Sequence, residues 1–164
     1  MSKQTLSFFF LLFINKIFSQ NIQLRYPHSN AKIIAAVTEA NRILADELFY
    51  LRIDSIRSFD NTTYTGRGIT NEMRAIQTIE VGEFYKAHTK TTAKTLTKIR
   101  LNTGRLNRSL AAITKTLIHE TVHAVDWNTD KRWNYTHRTQ HEEKPPVSAP
   151  YIIGAIAEKM AQNH

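Results

Sequence analysis

The chain has 164 residues, 41% of them hydrophobic, with two Trp, six Tyr, eight Phe and no Cys. That length and composition fit one domain with a real core and exclude a disordered chain. Lys and Arg outnumber Asp and Glu by 22 to 14, a formal +8, and the missing Cys excludes disulfides, thiolate metal sites and a Cys nucleophile, so any metal must sit on His and carboxylate.

Residues 1–20 differ in character from the rest of the chain. Leu6–Ile14 is apolar apart from Ser7. It is too short for a bilayer span, which needs roughly 20 residues, but it has the length of a signal-peptide apolar region. Lys3 supplies a positive start, and Ile17-Phe18-Ser19 offers a small residue at a cleavage position. The expectation is a leader over 1–19 and a single domain over 20–164, secreted or periplasmic; an uncleaved N-terminus would instead leave the chain cytoplasmic. Loss of Lys3 and Lys16 takes the formal charge from +8 to +6.

Ile22–Tyr26 alternates apolar and polar and stops at Pro27, which predicts a short strand. Ser29 or Asn30 can cap the next helix, where Ile33, Ile34, Val37, Ala40, Ile43 and Leu44 recur at helical spacing. Leu48–Phe59 is helical or turn-rich, Asp60–Gly68 a loop, and Ile69–Ile76 a short helix. Thr78–Lys86 and Thr97–Thr103 read as two paired strands joined by a hairpin connection over His88–Lys94. Lys98 and Arg100 on one face suggest that the second is solvent-facing or an edge strand. A helix runs from near Ser109 to Trp127, a polar stretch extends from there to Ser148, and Ala149–Gln162 closes as a helix with Pro150 in its first turn.

The long helix carries His119-Glu120-Thr121-Val122-His123. His residues at i and i+4 leave one face a turn apart, so both imidazoles reach one zinc ion. Glu120 lies about 100° round the helix, placed to take a proton from water without being a ligand. His119, His123, Asp126 and Thr116 share one strip. Ile118, Val122, Val125 and Ala111 flank it on one side, and Leu110, Ile113, Leu117 and Ala124 on the other. A helix apolar on nearly all sides belongs in the core. The strand over Thr97–Thr103, taken as an edge, would offer free backbone to an extended peptide.

Strand pair, Ser-capped helix and His-Glu-x-x-His together resemble a zincin metallopeptidase from roughly Ile79 to the C-terminus. The stretch from Asn107 through Asp126, then Tyr135-Thr136-His137, then Ser148 to Gly154, is similar to small bacterial and phage zincin-like proteins. That resemblance implies an α+β fold, with a small antiparallel or mixed sheet packed on the buried motif helix and helices at either end. It also implies zinc-dependent peptide hydrolysis. The metzincin continuation fails, because it needs Gly and His where Asp126 and Thr129 stand. A gluzincin-type third ligand would be Glu158. The loop residue His137 is preferred, on a spacing similar to SprT-like metalloproteases, with His141, Glu142, Glu143 and Asp126 as alternatives. Asp126 is otherwise read as orienting an imidazole, and Tyr135 as a stabiliser of the oxyanion or a core aromatic. The expected partner is a peptide or protein substrate. The basic residues are scattered, so a nucleic-acid surface of the kind a DNA-associated SprT-like protease would use is not expected. The remaining alternative is a catalytically silent zinc-binding interaction or toxin domain.

Overall fold

The computed structural model describes residues 21–60, 62–86, 92–95, 97–128 and 147–164. The expected leader and the 129–146 segment, with Tyr135, His137, His141, Glu142 and Glu143, lie outside them. The elements run β1 (Gln23–Arg25), α1 (Ala31–Ala45), α2 (Glu47–Asp54), α3 (Gly66–Ala75), β2 (Thr78–Phe84), β3 (Thr92–Thr95), β4 (Lys98–Asn102), α4 (Leu110–Asn128) and α5 (Ala149–Gln162). This is a mixed α+β arrangement built on one four-stranded sheet of order β1-β2-β4-β3.

Local chemistry sets the element ends. Asn30 caps α1 through its side-chain oxygen, which accepts from the Lys32 and Ile33 amides. Asp46 ends α1 and caps α2 by accepting from Leu48 N. Thr65 caps α3, accepting from Gly68 N. Ser109 Oγ accepts from Ala112 N at the start of α4. Each such cap stabilises by about 1 kcal/mol.

One sheet face turns Leu24, Ile79, Val81, Ile99 and Leu101 into a core shared with Ile33, Ala36, Val37, Ala40 and Leu44 of α1 and with Leu117, Ile118, Val122 and Val125 of α4. The opposite face is charged. Arg25, Glu80 and Lys98 stand in register across β1, β2 and β4, with Glu80 paired to Lys98 at 2.8 Å. Lys98 and Arg100 are therefore solvent-facing, as their alternation indicates.

Three sequence expectations need correction. β2 and β4 are not a hairpin pair: they run parallel, Glu80 opposite Lys98 through Phe84 opposite Asn102. The antiparallel partner of β4 is β3, a strand that overlaps the end of the stretch expected to be a connection, His88–Lys94. β4 therefore lies inside the sheet, flanked by β2 and β3, and the antiparallel edge is β3. Thr- and Lys-rich segments carry little alternation, so β3 gives no period-2 signal. Finally, the β2 alternation breaks at Gly82, which is buried while Tyr85 is 76% exposed.

The other edge is closed. Asn41 of α1 accepts from Leu24 N at 2.8 Å and donates to Leu24 O at 2.9 Å. One side-chain amide thus occupies both outward backbone groups of Leu24, the kind of cover that stops an edge from pairing further.

α2 and α3 pack together beside this core, with Phe49, Tyr50, Ile53, Ile69 and Met73 fully buried. The Tyr50 hydroxyl donates to Leu44 O at 3.0 Å, and the Arg74 guanidinium lies 4.1 Å from its ring centroid. Burial pushes the Tyr50 phenol from 10.0 up to about 12, with Arg74 acting the other way. The folded state therefore holds this proton more tightly than the unfolded chain. The associated stability is complete below pH 10 and is lost as pH rises from about 10 towards 12. Tyr50→Phe should flatten the fall in stability over that window while costing about 1 kcal/mol at neutral pH from the lost bond to Leu44. Urea unfolding at pH 7 and pH 11 measures both, and an equally steep alkaline loss in the Phe variant would refute the assignment.

Candidate metal centre

α4 presents one partly accessible strip. Ala112, Lys115, Thr116, His119 and His123 are half-buried, while Ile113, Leu117, Ile118, Glu120, Thr121, Val122, Ala124 and Val125 are buried. Of the strip expected from the helical period, Thr116, His119 and His123 are thus partly open, while Asp126 is enclosed. Only Leu110, expected among the flanking core residues, departs: it begins the helix and is 46% exposed.

His119 and His123 meet edge to face, their ring centroids 4.9 Å apart. The Nε2 atom of His123 is buried. Glu120, next to the pair in sequence, is 7% exposed. Asp126 is also buried, two turns beyond His119 on the same strip. Thr121 donates to Leu117 O at 2.8 Å, so its hydroxyl is consumed within the helix.

α5 runs antiparallel against α4. Tyr151 sets its ring 4.6 Å from that of His119, at 77°. Lys115 Nζ reaches Glu158 Oε2 at 2.6 Å, one turn before His119. Gly154 stands between these contacts. A Cβ there would come within 3.2 Å of Lys115 O and 3.3 Å of the His119 Cβ. A mid-helix Gly costs about 1 kcal/mol relative to Ala; here it admits the close approach that packs α5 on His119. In the sequence Tyr151 reads as a packing residue or one facing the site, and Gly154 stands only within the stretch that carries the resemblance; the contact of each with His119 is set by the packing of two helices and follows from no spacing motif.

Among the described residues, no third His, Asp or Glu joins His119 and His123 in a group able to hold a metal ion. Glu158 and Asp126 are both described, and neither completes such a group. Glu158 is bonded instead to Lys115. His137 and His141 fall outside the described residues. As a donor set, two imidazoles one turn apart suit a borderline-soft divalent cation such as zinc, which takes four ligands and leaves two places to fill here.

A basic pair stands at the other end of the strip. Arg108 Nε donates to Arg105 O at 2.8 Å, and Arg108 Nη1 donates to Thr116 Oγ1 at 3.0 Å. Thr116 in turn donates to Ala112 O. No sequence motif marks this arrangement; helical projection puts Thr116 on the strip, but Arg108 precedes the helix and reaches it only in three dimensions.

No family model, no curated protein and no solved structure matches this chain.

Proposed function

We propose that the chain is a secreted, zinc-dependent peptidase of zincin-like architecture. His119, His123 and His137 would hold the metal, and Glu120 would act as general base. The observation that carries this reading is the facing of the two imidazoles, 4.9 Å apart and half-buried on a largely buried helix, with Glu120 buried next to them. Buried ionisable groups are costly unless something compensates them, and chemistry is the usual reason to retain them.

A zinc ion held by these residues would lower the pKa of water and polarise a peptide carbonyl. The protein's own part is to place and move protons. Glu120 takes a proton from the attacking water and returns it to the leaving amine. Tyr135 is the proposed donor to the oxyanion, and Asp126 the residue orienting an imidazole. Glu158 is disfavoured as third ligand by its bond to Lys115. Substrate backbone would pair with β3, the outermost described strand opposite the β1 edge that Asn41 closes. β3 also lies against α4, which brings that edge to the motif helix.

The test is hydrolysis of a mixed-sequence peptide library by the zinc-loaded chain purified from its exporting host. Cleavage should vanish with a chelator and return with zinc, and the mass of the active chain should begin at Gln20. A fully zinc-loaded, folded chain that cleaves nothing would leave a silent metal-binding domain as the better reading.

A further inference from the structure

We propose that Arg108, anchored beside the metal-binding pair, forms a carboxylate-binding subsite that gives this enzyme a preference for acidic peptides. The inference rests on the peptidase reading and names its substrate class.

Arg108 is held in place without being neutralised. Its Nε and Nη1 atoms are committed to Arg105 O and Thr116 Oγ1, both neutral acceptors. No carboxylate lies within 4 Å of it among the described residues, and Nη2 donates to no described acceptor. An acidic group that acts on it from a distance is Glu158, which is bonded to Lys115. Partial burial, and then the like charge of Arg105, lower the Arg108 pKa from its ordinary value. It nevertheless remains a cation at neutral pH. Two fixed hydrogen bonds limit the rotamer freedom that a surface Arg would otherwise lose on binding an anion.

Its position fits a substrate group. Thr116 precedes His119 by three residues on the same strip, a rise of about 4.5 Å, and the centre of the histidine pair lies about 3 Å further on. The rise along the helix from Arg108's anchor, Thr116, to the metal-binding pair is thus about 7.5 Å, roughly two residues of extended peptide. A carboxylate that far from the cleaved bond has two sources. It is the side chain of an Asp or Glu flanking that bond, or the terminal α-carboxylate two residues away. Both present the planar acceptor that a guanidinium matches.

The experiment uses zinc-loaded full chain and four otherwise identical peptides: Glu or Gln next to the cleaved bond, each with a free or an amidated C-terminus. Wild type should cleave carboxylate-bearing peptides about ten- to a hundredfold better in kcat/KM than the neutral peptide, mostly through KM. Loss of preference on Glu→Gln identifies a side-chain source, and loss on amidation a terminal one. Arg108→Gln should bring kcat/KM for the carboxylate-bearing peptides to that variant's value for the neutral peptide, and Arg108→Lys should restore part of the difference. In parallel, anisotropy of the labelled peptides on zinc-loaded Glu120→Gln, with and without Arg108→Gln, reads binding without turnover. Neutral and acidic peptides cleaved equally by wild type, or a preference that survives in Arg108→Gln, would overturn the subsite and leave the peptidase reading standing. If no peptide is cleaved, the peptidase reading fails, and the anisotropy decides the subsite: Arg108-dependent selection of the carboxylate supports it, and equal binding refutes it.

Discussion

Glu120→Gln should lower kcat for peptide hydrolysis by about 10²- to 10⁴-fold and leave the zinc content unchanged. Gln has the shape of Glu and keeps an acceptor oxygen, but it cannot take a proton at neutral pH. Glu120 is about 100° round the helix from His119 and is 7% exposed, so an isosteric change there keeps the side-chain volume and removes only the ability to take a proton. The two readouts must separate. A drop in rate with full metal assigns the base, whereas a drop in both would mean that Glu120 supports the metal itself. Activity retained within about tenfold of wild type would place the base elsewhere. Steady-state kinetics on one cleavable peptide, with metal content measured on the same preparation, decides among these.

The largest expected effect on stability lies away from the site. Gly66→Ala should destabilise the fold by about 4 kcal/mol, a loss comparable with the total stability of many domains. A Cβ at Gly66 would fall 1.7 Å from Ile53 O and 2.7 Å from Ile53 C, both backbone atoms at the end of α2. Neither can rotate away. The Gly66 amide also donates to Ile56 O at 2.9 Å, which fixes the start of α3 against that turn. Relief requires α3 to move, and with it Ile69 and Met73, both fully buried. Gly82→Ala is the control. Its Cβ would meet Lys98 Cε at 3.6 Å and Ile99 O at 3.9 Å, ordinary contacts, so its effect should stay within about 0.5 kcal/mol. Urea midpoints of the two variants provide the measurement; equal midpoints would show that the α2–α3 junction yields more easily than its geometry indicates.

Legibility in the sequence depends on the range of each signal. Helices α1, α4 and α5 are visible because apolar residues repeat over three or more turns, and Asn30 and Pro150 mark two of their starts. The histidine strip is visible because helix geometry is regular enough to project residues 116 to 126 onto one face. Sheet order is not visible. Alternation says that Ile79, Val81, Ile99 and Leu101 share a buried face, but not that β4 inserts between β2 and β3. Strand order depends on long-range pairing, and only the polar, weakly alternating β3 separates the two expected partners. The difference matters for the proposed function, since it moves the sheet edge from β4 to β3 among the described strands. Contacts at the site that join separate elements are hidden in the same way: Tyr151 on His119, Glu158 on Lys115, Arg108 on Thr116. Each pairs residues that no local period connects.

Metal stoichiometry of the full chain tests the central claim most directly. After zinc loading and desalting, wild type should carry one zinc ion per chain. His119→Ala, His123→Ala and His137→Ala should each carry close to none, with folding verified by circular dichroism. Glu158→Ala should keep its zinc, since it removes only a partly exposed pair with Lys115. A folded wild-type chain that retains no zinc would contradict the account outright, and zinc lost from Glu158→Ala but kept in His137→Ala would overturn the proposed ligand set.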